Sequence, residues 1–126
     1  MQDEELTAKI IGCAMKVHRT LGYGFPELVY QRAFEMEMQL QGLNVTREYK
    51  MSIFYQGQLI GTRRVDFFVE GKVMIEIKAL AQLENVHLVQ AKNYLEVFGL
   101  ETGLLINFGA RSLEFKRLFN NKKGFG

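Results

Sequence analysis

The chain has 126 residues, 48% hydrophobic and 24% charged, which suits one ordinary globular domain and leaves too little for two. Its single cysteine, Cys13, excludes an internal disulfide and a cysteine-built zinc cage. The net charge of +2 is too small to point by itself to a nucleic-acid partner, and no apolar run approaches a membrane span.

The first stretch, "MQDEELTAKII", is acidic and lacks the basic-then-apolar order of a signal peptide, so a soluble, cytoplasmic protein with no membrane partner is expected. Residues 3–21 place Leu6, Ile10, Cys13, Ala14, Val17 and Leu21 at helical spacing, with Cys13 as a small buried hydrophobe. His18 lies near the end of this helix, where an imidazolium suits the dipole better than a metal site would. "GYG" at 22–24 ends the helix. Pro26 suits the first turn of a second helix running to about Gln41, with Gly42 as a left-handed stop.

From Asn44 the texture becomes β-branched and aromatic, with turn signals at Gln56-Gly57 and Glu70-Gly71. Three strands are expected near 45–55, 59–69 and 72–79. Helical spacing returns over 83–98, where Leu88, Ala91, Leu95 and Phe98 form a stripe that Gly99 ends. Residues 102–109, "TGLLINFG", read as a buried strand, and 113–119 as an edge strand. After Ala110, Arg111, Lys116, Arg117, Lys122 and Lys123 face one acid, Glu114. The cluster can touch phosphates or form a solvated tail. The order ααβββαββ predicts one α/β (α+β) domain over 1–126, a mixed sheet of four to five strands flanked by helices.

The stretch "RRVDFFVEGKVMIEIKAL", 63–80, is a core hairpin that contains Asp66, Glu76 and Lys78, and burying charge is costly unless it is paired. Glu76 and Lys78 share one strand face, while Val73, Ile75 and Ile77 take the other, toward the core. A strict two-residue turn at Glu70-Gly71 pairs Asp66 with Ile75 and separates the acids. A three-residue turn with Gly71 left-handed brings Asp66 and Glu76 to the same face. Two carboxylates and an ammonium then converge. That set suits Mg²⁺, which takes one or two carboxylates, waters and phosphate oxygens, and the chemistry is phosphodiester hydrolysis. The plainer alternative is a salt bridge from Lys78 to Glu76 or Asp66 on a solvated face.

These residues resemble a known group. Asp66 followed by Glu76-Ile77-Lys78 resembles the PD-(D/E)XK nuclease superfamily, with Val65 where the name has proline. "GFPELVY" (Gly24, Glu27, Tyr30) matches the motif of the GxxExxY protein family, small bacterial and archaeal proteins placed in that superfamily. "VHRTLGYG", "HLVQAKNYL" and "GLLINFG" follow the same pattern, so the resemblance covers nearly the whole chain. It implies a restriction-endonuclease-like core and a nuclease acting on nucleic acid, DNA favoured over RNA. Asp66, Glu76 and the main-chain carbonyl of Ile77 would hold Mg (or Mn), with Glu27 as the helical acid near the metal. Lys78 would assist the attacking water, and Gln90 with Tyr94 would support the site or touch nucleic acid.

Other readings of these residues stay open. Glu27 also suits helix capping, and Tyr30, on its face, suits either the core or the site. His87 reads as an exposed or capping histidine before a proton shuttle. A non-catalytic nucleic-acid-binding or protein-interaction module of the same fold is the alternative function. A homodimer fits either, because one domain of this length offers little surface to a duplex.

Overall fold

The computed structural model describes residues 3–121, so Lys122 and Lys123 of the basic cluster lie outside the described residues. Helices α1 (Glu4–Leu21) and α2 (Glu27–Leu40) are followed by strands β1 (Val45–Tyr55), β2 (Gln58–Val69) and β3 (Val73–Lys78). Helix α3 (Asn85–Val97) then crosses to β4 (Thr102–Asn107), and β5 (Glu114–Phe119) closes the chain order. The elements and their sequence match the expected ααβββαββ.

Each boundary has a local cause. Gly22 stops α1 at φ 78, its N–H bonding His18 O at 2.8 Å, a conformation that favours glycine. Gly42, at φ 81, stops α2, and the Leu43 N–H closes back on Met38 O at 3.0 Å. Gln56 and Gly57 both have positive φ, and Tyr55 pairs with Gln58 across them, the two-residue turn that matches strand twist. His18 Nε2 donates to Ala110 O at 2.8 Å, tying α1 to the connection between β4 and β5.

The five strands lie in the order β1-β2-β3-β4-β5. The first three meander antiparallel, β3 and β4 are parallel across the α3 crossover, and β5 is an antiparallel edge. One face carries α1 and α2 over Phe67, Val69, Val73, Ile75, Ile77, Leu104 and Ile106. There Tyr30 stacks on Phe108 at 5.0 Å, and Phe34 meets Phe67 edge-on at 5.6 Å. Cys13 is buried in this layer, as expected. The other face carries α3, whose Ala91 and Leu95 pack on Val65, Met74, Leu105 and Leu118.

Strand β2 changes face midway along its length. Side chains alternate along a strand, so Val65 and Phe67 ought to share a face; instead they lie in the two opposite layers. The β1–β2 ladder skips one pair there, Glu48 opposite Asp66, and Glu48 sits at φ 52. A left-handed residue in one strand breaks the ladder and turns both strands over. Beyond the break the hairpin leaves β3, because β2 and β3 pair only from Phe67↔Ile75 to Val69↔Val73.

Candidate active site

The turn decides whether the charged residues meet. Val69 pairs with Val73 across Glu70, Gly71 and Lys72, with Glu70 at φ 55 and Gly71 at φ 64. This is the three-residue register, and it brings Asp66 level with Glu76. Just there the strands separate, and the Asp66 side chain fills the gap: Oδ2 accepts the Ile77 N–H at 2.7 Å. In a strand the N–H and C=O of one residue point to the same edge. The Ile77 carbonyl therefore opens toward the same fork, beyond the last β2–β3 pair.

Glu76 projects from β3 toward α3 and is only 4% exposed. Burial pushes its carboxyl up to about 8, and Asp66, within hydrogen-bonding reach, adds to the push while Arg63 opposes it. Two carboxylates this close repel unless they share a proton or a cation. The cation present is Arg63, whose Nη2 donates to Glu76 Oε1 at 3.0 Å. The Arg63 guanidinium carbon lies 4.6 Å from the ring centre of Tyr94. The salt bridge considered for Lys78 is thus made by Arg63 instead. Lys78 forms no ion pair within 4 Å among the described residues.

Arg63, Glu76, Lys78, His87, Gln90 and Tyr94 line one cleft under α3. Its free volume of ≈ 10 Å³ is room for about one water. Gln90 and Tyr94 thus share the lining of one cleft with Lys78. His87 lines the same cleft, but its Nδ1 accepts the Glu84 N–H at 3.0 Å, so it caps α3.

Glu27 begins α2 at an exposed position. Partial burial raises its carboxyl, Asp66 raises it further, and Lys78 and Arg63 lower it. It therefore feels the fork from α2. Among the described residues no three Asp, Glu, His or Cys side chains converge into one metal cage. Asp66 and Glu76 form a pair, with Glu27 outside it. Tyr30 does not face solvent at all. It is 0% exposed, its hydroxyl donates to Gly22 O at 2.6 Å and accepts the Phe25 N–H at 3.2 Å. Direct contact with nucleic acid is closed to it, and what it does is hold the turn that delivers Glu27. The donor set of two adjacent carboxylates and a free-edged carbonyl consists of hard oxygens, which fits Mg²⁺ or Mn²⁺.

Three residues of the site were missed from sequence. Arg63 lay among basic neighbours in "TRRV" with nothing to separate it from Arg64. Asn107 is fully buried, and it ties the loop after Lys78 to β4. Its Oδ1 accepts the Leu80 N–H at 2.8 Å, and its Nδ2 donates to Leu80 O and to Glu114 Oε1, both at 2.9 Å. Glu114 also accepts the Leu83 N–H at 2.7 Å, and these bonds hold its carboxyl below the usual range. The signal for Asn107 was present: an amide inside "GLLINFG" demands buried partners.

Comparison with known proteins bears on this geometry. A family model described as the PD-(D/E)XK nuclease superfamily matches residues 4–118. Among solved structures, the crystal structure of SSO0001 is similar with a TM-score of 0.50 and 17% identity. The match covers 88% of this chain and 65% of that one, and at this identity it speaks for the fold alone. No curated protein matches the sequence.

Proposed function

The chain belongs to the PD-(D/E)XK nuclease superfamily, and from that premise we propose that it is a metal-dependent nuclease hydrolysing phosphodiester bonds, with DNA favoured over RNA. The observation that carries this reading is the register at the fork. Asp66 reaches Ile77 N–H and Glu76 while Lys78, on the Glu76 face, is unpaired among the described residues. Because Arg63 makes the ion pair with Glu76, the lysine is left free to face the cleft.

Asp66, Glu76 and the carbonyl of Ile77 would hold Mg²⁺ or Mn²⁺, which when bound supplies charge neutralisation at the phosphoryl group. The chain's own residues do the rest. Lys78 presents a cation at the cleft to orient the attacking water and to offset negative charge as it develops. Gln90 offers an amide to a water or a phosphate oxygen. Glu27 acts from outside the carboxylate pair, through water. Tyr30 fixes the turn before Glu27, and Tyr94 holds Arg63. The narrower resemblance to the GxxExxY family rests on "GFPELVY", whose Glu27 and Tyr30 have these separate duties.

One observation favours the alternative, a non-catalytic nucleic-acid-binding module: Arg63 already occupies Glu76 Oε1 at 3.0 Å. The two readings part in one assay. Labelled single- and double-stranded DNA and RNA are incubated with Mg²⁺ or Mn²⁺, beside Asp66→Ala and Lys78→Ala. The nuclease reading expects cleavage that each substitution lowers by about a hundredfold or more. Cleavage that survives both in folded protein sinks it. Sizing the same preparations tests the homodimer that a small domain needs to span a duplex.

A further inference from the structure

Arg63 meets Glu76 through a single nitrogen. Nη2 is bonded, while Nε is buried and has no hydrogen-bond partner. An arginine fork usually engages a carboxylate with two nitrogens, and a desolvated donor left unmade is unfavourable. The guanidinium is therefore half-satisfied where it stands. It is also held independently of Glu76, by the Tyr94 ring, and a cation stacked on an aromatic face can pivot without leaving it. Around it in the cleft are Lys78 and Gln90, two further groups able to bond a phosphate oxygen.

A divalent ion and Arg63 compete for the same carboxylate. A second positive charge placed on Glu76 repels a guanidinium at hydrogen-bonding distance, and in a largely buried site that repulsion is poorly screened. We propose that Arg63 is a built-in counter-ion which metal binding displaces from Glu76, and that the freed guanidinium, kept over Tyr94, then binds a phosphate of the nucleic acid. The inference rests on Asp66 and Glu76 being the metal ligands. It makes Arg63 a positioning residue in the metal-free protein and a substrate contact in the loaded one. Its planar fork suits phosphate, and the idle Nε becomes the second donor.

Two measurements without turnover test this. In wild-type protein without nucleic acid, the Arg63 Nε–H resonance is followed by NMR during MgCl₂ titration. It is expected to shift in step with metal binding, because the displacement precedes substrate. In parallel, MnCl₂ binding is measured by calorimetry on wild type, Arg63→Gln and Arg63→Lys. Arg63→Gln, which removes the competing charge, is expected to bind Mn²⁺ about tenfold more tightly, with Arg63→Lys between. In CaCl₂, the same Arg63→Gln variant is expected to bind a 20-base-pair duplex about five- to tenfold more weakly. An Arg63 signal that stays still while metal saturates Glu76 overturns the inference and leaves the metal reading intact. So does Mn²⁺ affinity that is unchanged or weaker in folded Arg63→Gln. If that variant does not fold, the wild-type resonance decides. Absence of metal binding in every protein removes both readings together.

Discussion

Glu76 carries a charge problem that the fold does not remove. Its carboxyl is raised from 4.5 to about 8 by burial and by Asp66, so the folded state holds a proton that the unfolded chain releases above pH 4.5. The folded metal-free protein then binds more protons than the unfolded one across this window, and its stability must fall as pH rises from about 4.5 toward 8. The contribution is on the order of a few kcal/mol, fully present below the lower value and lost by the upper one. Urea titrations from pH 4.5 to 8.5 are expected to show that decline in wild type and a flatter profile in Glu76→Gln, whose amide cannot ionise. Added Mg²⁺ is expected to restore most of the wild-type loss, since a cation then stabilises the carboxylate that the proton had neutralised. A wild-type slope equal to that of Glu76→Gln contradicts the burial argument.

Between residue and fold, the site depends on how β3, its following loop and β4 are joined. Lys78 ends β3, and the loop after it runs against Asn107 and Gly109. A Cβ on Gly109 would lie 2.4 Å from the backbone of Ala79 and Leu80, so only glycine permits that approach. Asn107 makes the loop's bonds on one side and Glu114 on the other. Asn107→Leu leaves Leu80 N–H and C=O without partners, at a cost of about 2–4 kcal/mol. It should also loosen the path from Lys78 to α3. Denaturant midpoints measure the first effect, and hydrogen exchange at Leu80 and Leu83 measures the second. Amides that stay protected would show that the network is dispensable.

This level also separates what the sequence discloses from what it hides. Turn glycines and helix stops follow from local conformational preference, so the elements were readable, whereas the turn at Glu70-Gly71 allowed two registers and only the Val69↔Val73 pairing chose the one that brings Asp66 to Glu76. The face inversion was not readable, because it hangs on Glu48 at φ 52, a residue with no special claim to that region. Arg63 became visible only once the inversion turned it toward α3, since strict alternation alone cannot say which of two adjacent arginines faces the site. Asn107 was readable in principle from its apolar setting, but its partners are contributed by distant loops.

For the molecule as a whole, a net charge of +2 conceals a directional arrangement. Alternation splits the late basic cluster: Lys116 lies on the α3 side near Leu83 and Leu88, while Arg117 reaches Thr7 Oγ1 on α1 at 3.4 Å. Among the described residues, Lys116 and Arg117 therefore make no single phosphate-binding patch. The distal β1–β2 hairpin is different. Lys50 pairs directly with Arg64, and Ser52 with Thr62, on the strand face opposite Arg63, and all four are exposed. Like charges directly across two strands destabilise a sheet, and among the described residues no acid pairs with either cation. Exposed Phe54, Tyr55, Leu59 and Ile60 sit at the tip. A phosphate backbone lying along this face would answer the repulsion, and stability and binding must then respond in opposite directions. Lys50→Ala/Arg64→Ala is expected to be more stable by about 0.2–1 kcal/mol. It is also expected to bind a duplex more weakly, with the slope of log affinity against log salt reduced by about two. Melting and fluorescence anisotropy at three salt concentrations measure both on the same protein. A gain in stability with an unchanged salt slope would mean that the hairpin's cations face solvent rather than nucleic acid.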